Sequence, residues 1–177
     1  LLGVPQDELD VLMSRLQPVA GRFQPFRSPS GVTAIVDYAH TPDALENVLG
    51  TIRETGPDTR IITVCGAGGD RDKGKRPQMA HVAAGISDML ILTSDNPRSE
   101  RPEDILADMQ AGLTAYEMTR TETVVDRREA IRRAVEAARP GDVILIAGKG
   151  HETTQTIGSE VFHFDDREEI RKAFGIE

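Results

Sequence analysis

The chain has 177 residues, of which 38% are hydrophobic, and this is enough for one domain with a buried core and a short extra segment. A net charge of -8 argues against a general affinity for nucleic-acid backbones, and the 4% of aromatic residues leaves few surfaces on which bases could stack. The single cysteine excludes an internal disulfide, and the absence of a membrane-length apolar run or a signal-peptide pattern predicts a soluble, cytoplasmic protein that binds neither nucleic acid nor membrane.

The first predicted element is an amphipathic helix over residues 7–16, where Leu9, Leu12, Met13 and Leu16 are spaced for one face. Because the chain enters this helix almost at once and lacks an initial Met, we expect a fragment of a longer protein. A stretch rich in Pro, Gly and Ser follows over residues 17–31, and its composition is typical of a linker.

Beyond residue 31, hydrophobic runs rich in β-branched residues alternate with helical patterns, which predicts a Rossmann-like α/β fold. The runs are VTAIVDY (32–38), RIITVCG (60–66), DMLILTS (88–94), TETVVD (121–126) and DVILIAG (142–148). Their near-continuous apolar character predicts a mostly parallel sheet with helices on both faces, and Thr41-Pro42 and Arg101-Pro102 are helix-start signals. The alternating segment EVFHFDD (160–166) is compatible with an added antiparallel edge strand near the C-terminus.

Ligands of open parallel sheets bind outside the carboxyl ends of the strands. This rule selects the loops that begin at Asp37, Gly66, Ser94 and Gly148, and each of them carries an unusual polar cluster.

The loop GAGGDRDKGKRP, residues 66–77, nearly matches a phosphate-binding loop. Arg76 stands where a Ser or Thr would bind magnesium, and Asp70 and Asp72 would oppose a polyphosphate, so we reject that function. The mixture of Arg71 with acids suits a zwitterionic ligand or an interdomain contact, although a glycine-rich turn with solvated charges explains the loop equally well.

The corner Asp95-Asn96-Pro97-Arg98 follows the third run. Pro97 restricts its own backbone and that of Asn96, so that Asn96 and Arg98 can project from a rigid turn. Arg98 could bind a carboxylate with two hydrogen bonds and Asp95 an ammonium group. Taken alone, this tetrapeptide is better explained as an ordinary turn.

The loop after the last run is Gly148-Lys149-Gly150-His151-Glu152. Its two glycines permit close approach of the backbone to a ligand, and Glu152 could receive an amine. For His151 a packing or helix-start function is favoured over that of a base, because the spacing fixes no partner carboxylate.

The loop after the first run combines a helix cap, Thr41 and Pro42, with three residues that capping does not explain. Asp37, Tyr38 and His40 suggest contact with a nucleotide or with a preceding domain.

Taken together, GRF (21–23), DYAHTPDAL (37–45), GAGGDRDKGKRP, TSDNPRSE (93–100), DR with AI (126–131) and AGKGHET (147–153) resemble the Mur ligase family. The resemblance is strongest to the members that add meso-diaminopimelate to UDP-N-acetylmuramoyl-L-alanyl-D-glutamate. In that family an N-terminal domain holds the UDP-sugar and a central ATPase domain carries the phosphate loop and a carbamylated lysine. The resemblance implies that residues 1–30 are the end of the central domain with its linker, and that residues 31–177 are the C-terminal, amino-acid-binding domain.

The resemblance also implies roles for individual residues. Those assigned to the diaminopimelate pocket are Arg71, Asp95, Asn96, Pro97, Arg98, Gly148 and Glu152. Those assigned to ATP at the domain junction are Arg22, Asp37 and His40. Arg98 is the expected specificity residue. Lysine-adding relatives usually lack this arginine, because their substrate has no distal carboxylate. We expect Asp37 and His40 near residues 21–31, apart from the amino-acid ligands.

The implied reaction uses ATP and Mg²⁺, bound mainly by the central domain, to activate the glutamate side-chain carboxylate, which the amine of diaminopimelate then attacks. We assign no catalytic or metal-binding residue to this chain, expect it to be a monomer, and expect the fragment alone to be inactive. Two alternatives remain: another Mur-type ligase, lysine-adding or similar to folylpolyglutamate synthetase, and a free-standing amino-acid-binding module. The 95–98 corner argues against the first.

Overall fold

The computed structural model describes residues 19–176, so the helix predicted over residues 7–16 lies outside the described residues. In chain order the elements are β1 (Gln24–Arg27), β2 (Thr33–Asp37), α1 (Pro42–Thr55), β3 (Ile61–Cys65), α2 (Lys75–Ile86), β4 (Met89–Leu92), α3 (Pro102–Gln110), α4 (Ala115–Met118), β5 (Thr121–Thr123), α5 (Arg127–Ala137), β6 (Val143–Ala147), β7 (Thr154–Ile157), β8 (Glu160–His163) and α6 (Asp166–Phe174).

The main sheet has the strand order β1-β2-β6-β3-β4-β5. Strands β2, β6, β3, β4 and β5 run parallel, and each lies within one of the predicted hydrophobic runs. Strand β6 is inserted between β2 and β3, although it follows them in sequence. The predicted Rossmann-like, mostly parallel sheet is therefore confirmed.

Helices cover both faces of this sheet, as predicted. Helices α1, α2 and α3 bury Leu49, Met79 and Met109 on one face, together with sheet side chains such as Leu145. On the other face α5 and α6 bury Ile131 and Ile170 and other apolar residues. Within residues 19–176, no helix combines the length and the apolar character needed to cross a membrane.

The predicted start of α1 is also correct. Thr41 is the N-cap, its hydroxyl accepts a hydrogen bond from the Ala44 amide at 3.3 Å, and Pro42 begins the helix. This cap ends the loop after β2 close to the strand, and so holds that loop at the carboxyl edge of the sheet.

Two segments differ from expectation. Four residues of the predicted linker form β1, which pairs antiparallel with β2 across a turn at Gly31 (φ 86°) and buries Phe26 against the second face. The antiparallel strand near the C-terminus, β8, is present, but it pairs with β7 in a separate two-stranded sheet. The turn between β7 and β8 contains Gly158 at φ 59°, a conformation that favours a tight hairpin over extension toward the main sheet.

Candidate functional site

A cavity of about 250 Å³ lies at the carboxyl edge of the sheet, where the loops after β2, β6, β3 and β4 are neighbours. We call it the polar cavity. Its lining residues are Tyr38, His40, Gly66, Ala67, Gly68, Arg71, Lys75, Asp95, Asn96, Arg98, Gly148 and Glu152. The chain after β3 leads to α2 on one face, whereas the chain after β6 leads to the β7–β8 hairpin and α6. The cavity therefore opens where adjacent loops diverge, as expected for a ligand site of such a sheet.

The loop after β3 packs backbone to backbone against the 95–98 corner. The Gly69 amide donates a hydrogen bond to the Asn96 carbonyl oxygen at 2.9 Å, and a Cβ on Gly69 would collide with the Pro97 carbonyl oxygen. A Cβ on Gly66 would collide with the Thr93 carbonyl oxygen in the same way. Glycine is therefore required at both positions for the two loops to meet along one wall of the polar cavity.

Arg76 anchors the far end of the 66–77 loop. Its guanidinium is fully buried and donates to the Glu100 carboxylate at 2.8 and 2.9 Å and to Asp108 at 2.8 Å. Hydrogen bonds from Arg76 hold the pKa of Glu100 well below its usual range, so this pair is ionised at neutral pH. The residue that occupies the magnesium-ligand position of a phosphate loop is thus a structural cation, in agreement with the rejection of that motif.

The 95–98 corner is held on its other side by the β7–β8 hairpin. The Arg98 amide donates to the Thr156 carbonyl oxygen at 3.1 Å, and the Gly158 amide donates to the Arg98 carbonyl oxygen at 2.7 Å. The Gln155 side chain donates to the Asp95 carbonyl oxygen at 2.8 Å. These bonds stabilise Arg98 at φ 52°, which is unfavourable for a residue with a side chain. The hairpin therefore fixes the direction in which Arg98 leaves the corner.

The Arg98 guanidinium extends back across the corner into the polar cavity. Its Nη1 donates to the Gly69 carbonyl oxygen at 2.8 Å and lies 3.4 Å from the Asn96 carbonyl oxygen. No carboxylate within residues 19–176 forms an ion pair with it. One side of the guanidinium is thus fixed, and the other remains available to an anionic ligand.

The loop after β6 forms the floor of the cavity. Gly148 has φ 118°, and a Cβ there would lie 2.7 Å from Asp95 Oδ2. The next residue, Lys149, is fully buried, and its Nζ lies 3.2 Å from Asn96 Oδ1 and 3.4 Å from Glu152 Oε2. Asn96 Nδ2 donates to the same Glu152 oxygen at 3.0 Å. Lys149, Asn96 and Glu152 therefore form one network beneath the ligand space.

A buried ion pair supports the same strand ends from the opposite face. Arg127 donates to the Asp166 carboxylate at two distances of 2.8 Å and to the Ala147 carbonyl oxygen at 3.0 Å. Burial alone would lower the pKa of Arg127, but the Asp166 carboxylate more than offsets this, and the pKa is raised. Burial also raises the pKa of the nearby Cys65 thiol to about 12, so Cys65 is not a nucleophile at neutral pH.

The polar cavity is lined by charges of both signs. Arg71, Lys75 and Arg98 supply positive charge, and Asp95 and Glu152 supply negative charge. Such a lining complements a small molecule that carries both carboxylate and ammonium groups. Across the part of the chain that the structure describes, no group of three or more His, Cys, Asp or Glu side chains is arranged to hold a metal ion.

The structure brings together most of the residues proposed for the amino-acid pocket. Of the seven, six line the polar cavity: Arg71, Asp95, Asn96, Arg98, Gly148 and Glu152. Pro97 does not line it, because its backbone packs against Gly69 and its ring serves only to stiffen the corner.

The residues proposed for ATP lie together around Tyr38, between residues 21–31 and the polar cavity. Asp37 lies beside residues 21–31 as expected, and its carboxylate accepts hydrogen bonds from the Phe23 amide at 2.7 Å and the Ala39 amide at 2.8 Å. The Arg22 guanidinium lies over the Tyr38 ring, 4.7 Å from its centre. The expectation that His40 would stay apart from the amino-acid candidates is wrong. Because β2 and β6 are adjacent, the loop after β2 reaches the cavity, and His40 lines it.

Several residues with a place in the site were not assigned from the sequence. Lys75 and Tyr38 line the cavity, and Lys149 lies beneath it. The signal for Lys149 was its position between two glycines, which allows the backbone to turn the side chain inward. Gln155 carried no local signal, because its bond to Asp95 joins residues 60 positions apart. His151, for which packing was favoured, stacks on Tyr38 with ring centres 5.1 Å apart.

Fold and cavity together define a Rossmann-like domain with a cavity lined by charges of both signs at the carboxyl edge of a parallel sheet. The family model described as "Mur ligase, glutamate ligase domain" matches residues 21–150, and the chain belongs to this family.

Two relatives and one solved structure with the same name are similar to the chain. The chain is 57% identical over 174 residues to a UDP-N-acetylmuramoyl-L-alanyl-D-glutamate--2,6-diaminopimelate ligase of Parabacteroides distasonis, and covers 36% of that protein. It is 50% identical over 171 residues to the protein of the same name from Geobacillus kaustophilus, of which it covers 35%. A solved structure of a ligase with this name has a TM-score of 0.82 at 43% identity, over 98% of this chain and 35% of that one. The chain thus spans about a third of the length of these relatives.

Proposed function

We propose that the chain is the C-terminal, amino-acid-binding domain of an ATP-dependent ligase that adds meso-diaminopimelate to UDP-N-acetylmuramoyl-L-alanyl-D-glutamate in peptidoglycan precursor synthesis. The observation that carries the proposal is the charge pattern of the polar cavity, which is lined by Arg98 and Arg71 together with Asp95 and Glu152. Meso-diaminopimelate has two carboxylates and two ammonium groups, so it can pair with both signs of this lining.

In the proposed reaction the glutamate side-chain carboxylate of the dipeptide attacks the terminal phosphorus of ATP, which gives an acyl phosphate and ADP. The free amine of diaminopimelate then attacks the acyl carbon, phosphate leaves, and the amine loses a proton as the amide forms. The contribution of this chain is to bind the amino acid and present its amine, which converts an encounter between separate substrates into a local one.

Residues outside the amino-acid pocket fit a junction with a nucleotide-binding domain. Arg22, Tyr38 and His40 form an exposed cationic and aromatic group at the rim of the polar cavity. We propose that Arg22 and His40 contact ATP there, and that Asp37 shapes the rim through its bonds to Phe23 and Ala39. The described residues do not fit a Mg²⁺ site, so we propose that the Mg²⁺ ligands belong to the central domain.

For the domain organisation, we propose that the chain up to residue 30 contains the end of the central domain and the linker. The pairing of β1 with β2 favours placing the start of the C-terminal fold at Gln24 instead of residue 31. We further propose a cytoplasmic, monomeric enzyme, in keeping with its nucleotide-linked substrates.

The decisive experiment uses the full-length protein with ATP, UDP-N-acetylmuramoyl-L-alanyl-D-glutamate and either meso-diaminopimelate or L-lysine. We expect ADP release that depends on the amino acid, and a product whose mass has increased by one diaminopimelate residue. Efficient use of lysine would favour a lysine-adding ligase. Absence of ligation, with binding of diaminopimelate retained, would favour a binding module.

A further inference from the structure

Lys149 is a fully buried ammonium group at the floor of the polar cavity. Gly148 (φ 118°) and Gly150 (φ 52°) flank it, and both have conformations that side chains rarely adopt. These two glycines turn the backbone so that the lysine side chain passes beneath the cavity. Such an arrangement is costly, because an ammonium group loses its hydration on burial.

The protein only partly compensates this cost. An ammonium group has three N–H donors, whereas Lys149 Nζ has two side-chain acceptors, Asn96 Oδ1 at 3.2 Å and Glu152 Oε2 at 3.4 Å. Neither bond is short for a charged donor. Lys149 is therefore a weak stabiliser of the fold. Its charged partner, Glu152, is 32% exposed, so an apolar side chain of similar volume at position 149 leaves no fully buried charge unpaired and should be tolerated.

The same contacts place two groups that face the ligand space. Asn96 Oδ1 also accepts from the Thr156 amide at 3.0 Å, so the orientation of the Asn96 amide is fixed from two sides. Glu152 Oε2 is held by Asn96 and Lys149 together. Among residues 19–176, no hydrogen bond engages Glu152 Oε1, and the Glu152 side chain is 32% exposed at the cavity.

We infer that Lys149 is a positioning residue for the amino-acid substrate: its buried ammonium holds Glu152 Oε2 and Asn96 Oδ1, and so presents Glu152 Oε1 to an ammonium group of that substrate. The inference rests on the proposed function of the cavity. Lys149 does not line the polar cavity, and it acts through Glu152.

The test uses the full-length enzyme with Lys149→Met, which keeps the volume and removes the charge. We expect KM for meso-diaminopimelate to rise by at least about tenfold, the size expected for loss of a charge-assisted interaction. The value of kcat and the KM for ATP should change by less than about threefold, and the melting temperature should stay the same or rise. Lys149→Gln, which is also uncharged, should show the same increase in KM.

A double-mutant cycle with Glu152→Gln separates positioning from general support. If Lys149 acts through Glu152, then Lys149→Met should add less than about a threefold effect on KM in the Glu152→Gln background. Lys172→Met is the matched control, because Lys172 is an exposed lysine of α6 that also pairs with a glutamate, Glu169, and does not line the polar cavity, so its loss should not change KM.

Two results would overturn the inference: an equal effect of Lys149→Met with and without Glu152, or a loss of activity that follows a loss of melting temperature. If the wild-type enzyme does not ligate meso-diaminopimelate, the proposed function fails before any variant is compared. If it does ligate it and Lys149→Met leaves KM unchanged, only the role of Lys149 is refuted.

Discussion

Arg98→Ala removes a guanidinium that bonds the fold on one side and faces the polar cavity on the other. Nη1 donates to the Gly69 carbonyl oxygen at 2.8 Å, while the rest of the group faces the polar cavity. The backbone bonds from Arg98 to Thr156 and from Gly158 to Arg98 do not involve the side chain. Alanine at φ 52° is no more strained than arginine, so the corner should keep its shape in the variant.

The two losses can be estimated separately. The bond to Gly69 lies at a partly exposed site and should cost about 1 kcal/mol of unfolding free energy. A two-bond contact with a ligand carboxylate contributes roughly 1.5 to 3 kcal/mol, and a carboxylate left unpaired in a closed site adds to the loss. Apparent affinity for meso-diaminopimelate should therefore fall by about ten- to a hundredfold.

The assay is the ratio of kcat/KM for meso-diaminopimelate to that for lysine, measured in the full-length wild type and in Arg98→Ala. Lysine lacks the distal carboxylate, so its weak use should change much less. Arg101→Ala, three residues further on and 75% exposed, is the control that removes an arginine outside the cavity. If both substrates lose the same factor, Arg98 supports the fold or domain closure, and the specificity argument is wrong.

Three further predictions concern the scaffold and the fragment. Arg127→Met should lower the free energy of unfolding by about 3 to 5 kcal/mol in a denaturation experiment, because it leaves Asp166 buried without its partner. Arg132→Met, on the exposed side of the same helix, should cost less than about 1 kcal/mol. Equal effects of the two substitutions would contradict the structural role of Arg127. The folded state lowers the pKa of Glu100, so its ion pair with Arg76 stabilises the fold above the ordinary carboxyl pKa near 4.5, and this stabilisation decreases as the pH falls below that value. Glu100→Gln should therefore flatten the acid side of a plot of melting temperature against pH. An unchanged slope would refute the assignment. The 177-residue chain alone should release no ADP with ATP and both other substrates, and release that depends on both substrates would show that the catalytic parts are not confined to the rest of the protein.

The sheet was predictable because its pattern is local. Strands that are buried on both faces need continuous apolar residues, and such runs occur at β2, β3, β4 and β6. The rule for carboxyl ends then selected, without knowledge of the strand order, the loops that line the polar cavity. Strand β1 was missed because Phe26 is its only buried residue, so a four-residue run within a Pro-, Gly- and Ser-rich stretch carries almost no pattern.

The side chains that hold the loops of the polar cavity were less predictable, because their hydrogen-bond partners are far away in sequence. Lysine and arginine are normally exposed, so the sequence does not predict that Lys149 or Arg76 is buried. The two glycines beside Lys149 permit an inward turn but do not require it. The partners of Arg76 are 24 and 32 residues away, and Asn96, the partner of Lys149, is 53 residues away. The sequence predicted only an added edge strand over residues 160–166. The bonds of Thr156 and Gly158 to the Arg98 backbone reveal that a hairpin holds the corner.

The cations around the polar cavity can be sorted by how completely the protein pairs them. Arg76 and Arg127 are fully buried and bonded to carboxylates, so carboxylates of the protein already neutralise their charge. Replacing either arginine should lower the stability of the fold more than the affinity for a ligand. Arg98 bonds only carbonyl oxygens and faces the cavity, so its remaining donors favour an anionic ligand. Lys149 lies between these cases, since its partners, Asn96 and Glu152, line the polar cavity. A substitution that weakens binding while leaving the melting temperature unchanged should therefore be found at Arg98 and Lys149, and not at Arg76 or Arg127.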